Sequence, residues 1–199
     1  MKALVVTVHP DPSSLTHAAA AAIARGVDRT GATSEIADLV KEGFDPRYRL
    51  DDRAVHHRRS APPPDVAREQ QRLESVNALV LVYPVFWWSM PAYLKGWIER
   101  VFSNGWAFED GPGGKGLIKK LDWLPVHLLG LAGADQAVYE RRGYRDAMIT
   151  QAELGVFNYC GAPVRSSEIL YASETSSAVL ALETAERFGE RVSLDLLRP

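Results

Sequence analysis

Three nearly unbroken apolar runs divide this chain: residues 3–8 (ALVVTV), 78–83 (ALVLVY) and 124–131 (LPVHLLGL). Runs of that length, bounded by turn residues, predict strands buried on both faces. Residues 33–39 and 163–171 read as the second and the fifth strand. Between the strands the period changes. An Ala-rich helix is predicted over 17–30, ended by Gly31. Residues 41–64 read as irregular, with Phe44-Asp45-Pro46 and a proline run at 62–64. Asp65 is expected to cap a helix to about Ser75, with Ala67, Gln70, Leu73 and Val76 on one mixed face. A helix over 92–102 follows Pro91, a residue favoured in a first turn. It sets Leu94, Trp97, Ile98 and Val101 on one side and Lys95, Glu99 and Arg100 on the other. Gly143 interrupts the segment 134–145, and a further helix runs to about Tyr159. A closing helix over 174–197 carries Ala178, Leu182, Ala185, Phe188 and Val192 on one face.

Strands alternating with helices imply an α/β protein whose parallel sheet is covered on both faces. Right-handed crossovers leave few topologies. The candidate ligand residues fall on the turns after the first, third and fourth strands. A three-layer, flavodoxin-like sheet of order 2-1-3-4-5, with a mononucleotide site between strands one and three, accommodates them best.

The turn after the third strand reads Pro84-Val85-Phe86-Trp87-Trp88-Ser89-Met90-Pro91. Large rings at the carboxyl end of a buried strand are either core residues of a strand–helix junction or the platform of a ligand. The turn after the first strand, His9 to Thr16, brings Ser13 and Ser14 to the start of a helix, where they can cap it and its free N–H groups can bind an anion. No GxGxxG or GxxxxGK[ST] fingerprint is present. Composition adds exclusions. At 199 residues, 46% hydrophobic and 24% charged, the chain has the size and balance of one globular domain, residues 1–199. A net charge of −2 gives no global basic field for nucleic acid. The single cysteine, Cys160, excludes an internal disulfide. No run reaches membrane-span length, and a cytoplasmic location is expected. His56-His57-Arg58-Arg59 lacks ligand spacing and reads as solvated surface, so no metal is expected. The loop 111–116 is Gly-rich and is predicted to be mobile.

The stretch from Tyr83 to Phe102, with the pattern Pro-x-x-Trp-aromatic-x-x-Pro-Ala-x-Leu-Lys-Gly-Trp-x-x-Arg-Val-Phe, with Gly105-Trp106-Ala107-Phe108 after it and Val66 to Glu74 before it, resembles the flavodoxin-like NAD(P)H:quinone reductase family. That family includes DT-diaphorase and the bacterial potassium-efflux ancillary oxidoreductases. The resemblance runs from Lys2 to about Tyr171. It implies a flavin, FMN or FAD, with NAD(P)H as donor and ping-pong transfer to quinones or other small aromatic acceptors. By resemblance, His9, Ser14, Leu15 and Thr16 hold flavin phosphate and ribityl. Pro84, Val85, Phe86, Trp87 and Trp88 run along the isoalloxazine and offer it backbone donors. Ala132, Gly133 and Ala134 form a second flavin loop. Tyr139 stands near the pyrimidine edge and, with Arg145, is assigned to catalysis. Trp88 and Phe108 bind the substrate, Phe108 reaching it from the partner subunit of a homodimer whose active site lies at the interface.

This chain has Thr16 where the family often has Asn, and Arg145 where the diaphorase branch has His. A guanidinium there can orient an anionic ring but cannot act as a general acid. Trp97, Trp106 and Phe108 are more large rings than one flavin needs, which is a second reason to expect an interface. A flavin-binding electron carrier and a regulatory partner of a cation-efflux transporter are the alternatives. The near-neutral charge and the Trp106–Phe108 roof speak against the carrier, and nothing in the sequence marks a transporter contact.

Overall fold

The computed structural model describes residues 1–111 and 116–197. In chain order the elements are β1 (Lys2–Thr7), α1 (Leu15–Arg29), β2 (Thr33–Asp38), α2 (Leu50–His56), α3 (Pro64–Glu74), β3 (Ala78–Pro84), α4 (Ala92–Val101), β4 (Phe108–Asp110), β5 (Leu117–Lys119), β6 (Val126–Leu131), α5 (Gln136–Arg142), α6 (Tyr144–Met148), a π-helix (Ile149–Asn158), β7 (Val164–Leu170) and α7 (Ala178–Leu197). Five strands form one sheet in the order β2-β1-β3-β6-β7, and every pairing in it is parallel. This is the expected 2-1-3-4-5 arrangement. The strands β4 and β5 pair with each other and stand apart from the sheet.

The alternation along the central strands builds two cores. Leu4 and Val6 of β1 share one face with Leu79 and Leu81 of β3, under Leu73, Leu94, Trp97 and Phe157. Ala3, Val5, Val80 and Val82 point the other way, into Ala19, Ile23, Phe188 and Val192 of α1 and α7. Each fully buried large aliphatic or aromatic side chain is worth about 1.5–3 kcal/mol. The helices α1 and α7 touch backbone to backbone. A methyl group at Gly26 would overlap the Glu186 carbonyl, and one at Gly189 the Ile23 carbonyl. The alanines of α1 and these glycines therefore set the spacing that lets both helices sit flat on the sheet.

Several expectations need correction. Residues 41–64 are not wholly irregular, because α2 lies within them. Asp65 does not cap α3: the helix starts at Pro64, after Pro63. Asp65 instead pairs with Arg100, which sits on the side of α4 read as polar yet is 1% exposed. Arg100 also reaches Asp52 of α2 with Nε at 3.0 Å and the Asp45 carbonyl with Nη1 at 2.6 Å. Trp97 is fully buried and donates to Glu69 Oε2 at 3.0 Å, and Trp106 donates to Glu74 Oε1 at 2.7 Å. Trp97 is thus a core residue and no argument for an interface. Ala178, expected on the buried face of α7, is exposed. The Gly-rich loop expected to be mobile falls largely outside the described residues. Among the described residues no helix is long and apolar enough to cross a membrane.

Candidate active site

The carboxyl ends of β1, β3 and β6 open on one cleft of about 390 Å³. Small-molecule sites are commonly clefts of about 300–1,000 Å³. His9, Ser14, Leu15 and Thr16 line one end, Pro84 to Trp88 one side, and Gly133, Ala134 and Tyr139 the far side. Ala132 is fully buried, donates its N–H to the Leu170 carbonyl at 2.9 Å, and supports the cleft from behind.

The first end is built by the start of α1. Ser14 caps that helix, accepting from the His17 N–H at 3.3 Å. The helix starts at Leu15, two residues earlier than predicted. The next amides, of Leu15 and Thr16, belong to the first turn and have no intrahelical acceptor. The helix dipole adds positive potential there. His9 Nδ1 accepts the Asp11 N–H at 3.0 Å, so its own proton sits on Nε2, free to donate. No acidic residue occupies the first turn of α1. Hydroxyl, amides, imidazole N–H and dipole together fit one phosphate.

The aromatic side is a tight turn. Phe86 N–H and Ser89 N–H each donate to the other residue's carbonyl at 3.1 Å, closing a two-residue loop over Trp87 and Trp88. Both tryptophans have positive φ, 50° and 57°. This is the form of turn that normally selects Asn-Gly, because left-handed backbone strains a bulky side chain. Each such residue costs on the order of 1–3 kcal/mol. The rings are not spent on the core: Phe86 is 49% and Trp87 is 87% exposed. Phe86 and Trp87 are therefore not core residues, whereas Trp88 is half-buried against the Ala132, Tyr139 and Met148 cluster. The turn also leaves the Trp87 and Trp88 amides without a protein acceptor among the described residues.

Trp88 leans on Tyr144, with ring centroids 4.0 Å apart and planes 30° from parallel. Tyr139 is 2% exposed and meets Tyr171 edge to face at 5.0 Å. Burial raises the Tyr139 phenol above its ordinary pKa, which keeps it a donor. Burial likewise raises Tyr171, against the opposing charge of Arg145. Arg145 itself is exposed and lines a small hollow by Tyr83 and Met148, outside the cleft. Gly143, at φ 69°, ends α5 and starts α6, and it turns Arg145 away from Tyr139. The two residues do not face one pocket. Phe108 is also absent from the lining of this cleft. It packs against Tyr159 at 5.3 Å and borders a second cavity of about 350 Å³ with Tyr48, His56 and Phe102.

Sequence reading missed Leu131, Ser173 and Glu174, which line the cleft, and Tyr144. Ser173 and Glu174 follow β7, and the rule that ligands gather at carboxyl ends of strands covers that turn as well. The turn is held by the Ser173 N–H to the Ala132 carbonyl at 2.8 Å, and a side chain at Gly133 would crowd the Glu174 carboxylate at 3.2 Å. The cleft thus offers a phosphate cradle, a flat aromatic wall, unpaired backbone donors and a buried phenol. These are the groups a flavin needs for its tail, its ring body and its polar edge.

A family model described as flavodoxin-like fold matches residues 1–192. The ribosyldihydronicotinamide dehydrogenase [quinone] of Pongo abelii is 27% identical over 199 residues, covering 88% of this chain and 84% of that protein. The uncharacterized NAD(P)H oxidoreductase YcaK of Escherichia coli (strain K12) is 33% identical over 145 residues, 70% of this chain and 68% of that one. The NAD(P)H:quinone oxidoreductase from Methanothermobacter marburgensis shares the fold, with a TM-score of 0.86 at 24% identity over 96% of this chain and 98% of that chain.

Proposed function

The chain belongs to the flavodoxin-like fold family, and from that membership we propose that it is a flavin-dependent NAD(P)H oxidoreductase reducing quinones or similar small aromatic acceptors. The observation that carries the reading is the strained Trp87–Trp88 turn, which exposes rings and leaves its amides unpaired on the same cleft as the start of α1. Strain of this kind gathers at functional sites, and the ring of Trp87 does little packing to offset it. Relatives named as quinone-type dehydrogenases support the choice of acceptor.

In this proposal residues 1–199 act as one flavin-binding domain. Ser14 with the Leu15 and Thr16 amides holds the phosphate. His9 Nε2–H supports it. Pro84, Val85 and Phe86 wall the ring, and the Trp87 and Trp88 amides donate to its polar edge. Gly133 and Ala134 leave room on the opposite side because neither carries a large side chain. The flavin, when bound, supplies the hydride chemistry. Tyr139 keeps its proton and donates toward charge that develops at the ring edge. Its neighbours Tyr144 and Tyr171 hold it against water. Arg145 acts on the site only through its charge near Tyr171.

Phe108 does not line its own cleft, so it is assigned to the cleft of a second subunit in a homodimer. A soluble nicotinamide donor suits a cytoplasmic enzyme. The test is the absorbance spectrum of the purified protein, followed by NAD(P)H oxidation with and without a quinone. Flavin bands and quinone-dependent turnover are expected. A protein that is colourless and ignores both FMN and FAD in titration would overturn the proposal. Flavin without NAD(P)H turnover would favour the electron carrier.

A further inference from the structure

His17 lies outside the cleft, in the first turn of α1, behind Ser14. Both of its ring nitrogens are engaged. Nε2 is 2.9 Å from Asp38 Oδ2 at the carboxyl end of β2. Asp38 Oδ1 is itself fixed by the Val40 amide at 3.2 Å and the Lys41 amide at 3.1 Å. Nδ1 is 3.0 Å from the Asp11 carbonyl oxygen and 2.9 Å from Ser14 Oγ. A carboxylate and a carbonyl can only accept. Donating to both at once needs a proton on each nitrogen, and the Asp11 carbonyl also accepts the Ser14 N–H at 3.1 Å. In the neutral ring protonated on Nε2, Nδ1 would turn a lone pair on the Asp11 carbonyl. It would then take the Ser14 hydroxyl proton instead.

We propose that His17, held by Asp38, is a positioning residue for the phosphate loop, whose imidazolium form leaves the Ser14 hydroxyl proton free to point into the cleft and adds a positive charge behind it. The proposal rests on the reading of the cleft as a flavin site. Ser14 Oγ already accepts from the His17 backbone amide at 3.3 Å, so the direction of its one proton is what the ring decides. Charge placement argues the same way. A cation in the first turn of a helix opposes the macrodipole unless anions stand beside it. Asp38 supplies one negative charge, and a ligand phosphate supplies the next. The side chains of His17 and Asp38 are only 17% and 16% exposed, so bulk salt screens them little. The other ionisable groups beside His17 are Asp11 and His9 of the loop, with the His9 ring centroid 6.3 Å away. His9 does not compete for Ser14, because its Nδ1 is taken by the Asp11 amide.

The experiment is a fluorescence titration with FMN and with riboflavin, which differ only in the phosphate, from about pH 5.5 to about pH 8.5. The readout is the affinity ratio of FMN to riboflavin. His17→Gln keeps a hydrogen-bonding side chain but cannot take the charge. It is expected to lower the ratio about tenfold at the acid end, the scale of one hydrogen bond to a charged group. Dividing the wild-type ratio by that of His17→Gln at each pH isolates the contribution of the ring. Asp38→Asn is expected to move the ratio in the same direction, with riboflavin affinity held within about twofold. A ratio unchanged in His17→Gln would overturn the proposal. Equal loss of both ligands would do so too, since a purely structural tie between α1 and β2 would act on both. Wild-type protein that binds FMN and favours it over riboflavin keeps the flavin site whatever the variants do. Wild-type protein that binds neither ligand removes the site and the proposal together.

Discussion

At the scale of single residues, the costs and gains of this fold are most visible at Trp87 and His127. Trp87 is 87% exposed at φ 50°, so it contributes strain and little packing to the unliganded chain. Asn tolerates that backbone without the entropy loss of glycine. Trp87→Asn is therefore expected to raise stability by roughly 1 kcal/mol in urea unfolding while weakening flavin uptake. A variant that is destabilised would mean the ring packs against something in the free protein. His127, on β6, is 1% exposed, lies 2.8 Å from Ser166 Oγ and faces the edge of Phe188. Burial pushes its pKa down to about 4. The unfolded chain takes up that proton near pH 6.5, so between about 6.5 and 4 only the unfolded state binds it. Stability therefore falls as pH drops through that window, by up to about 3 kcal/mol, and is fully present above it. Urea unfolding across the window should show a shallower pH slope in His127→Gln than in wild type. Equal slopes would mean that the folded state protonates His127 freely.

At the scale of elements, α2, α3 and α4 are joined by one buried cation. The Arg100 side chain is 0% exposed, with Asp52 Oδ2 at 3.0 Å and Asp65 Oδ2 at 2.6 Å. Removing one partner of a buried pair strands the others, at a cost of about 3–5 kcal/mol, whatever apolar side chain takes its place. Arg100→Ala and Arg100→Met are both expected to lose about that much in urea unfolding. A clearly smaller loss in Arg100→Met would mean that the guanidinium contributes through filled volume and not as an ion. The same cluster explains what could be read from sequence and what could not. The strands were legible because their apolar runs depend only on local period, and the aromatic turn because Phe86-Trp87-Trp88 has no place in a solvated loop. Arg100, Glu69 and the helix α2 were not. Period places Arg100 on a polar face, and only its distant partners Asp52 and Asp65 make burial affordable. The sequence LDDRAVH of α2 buries just Asp52 and Val55, too few residues to print a helical stripe. Arg145 was misplaced for a related reason. Spacing across Gly143 fixes the distance along the chain, whereas the left-handed turn fixes the direction.

At the scale of the whole molecule, the open side of the cleft and the position of Phe108 make one argument. Phe86 and Trp87 stand exposed on the cleft wall, and Phe108 lies elsewhere, beside Tyr159 and His56. In the proposed homodimer Phe108, which does not line its own cleft, would cover that of the other subunit. Two subunits related by a two-fold axis would each give and receive Phe108. Sedimentation at micromolar concentration is expected to give a dimer, but mass alone does not say which subunit provides the ring. Mixed dimers do. Phe108→Ala is expected to impair acceptor reduction. Tyr139→Phe is expected to slow flavin reduction roughly 10–1000-fold in stopped flow, with flavin binding nearly intact, the range for losing a charge-stabilising donor. When the two variants are unfolded together and refolded, half of the dimers should be mixed. If Phe108 acts across the interface, each mixed dimer has one site with an intact Tyr139 from one chain and an intact Phe108 from the other. Its second site carries both changes. Activity should then recover toward a quarter of wild type, well above the average of the two parents. If Phe108 serves its own chain's cleft, every site in a mixed dimer carries one change. The refolded mixture would then do no better than that average.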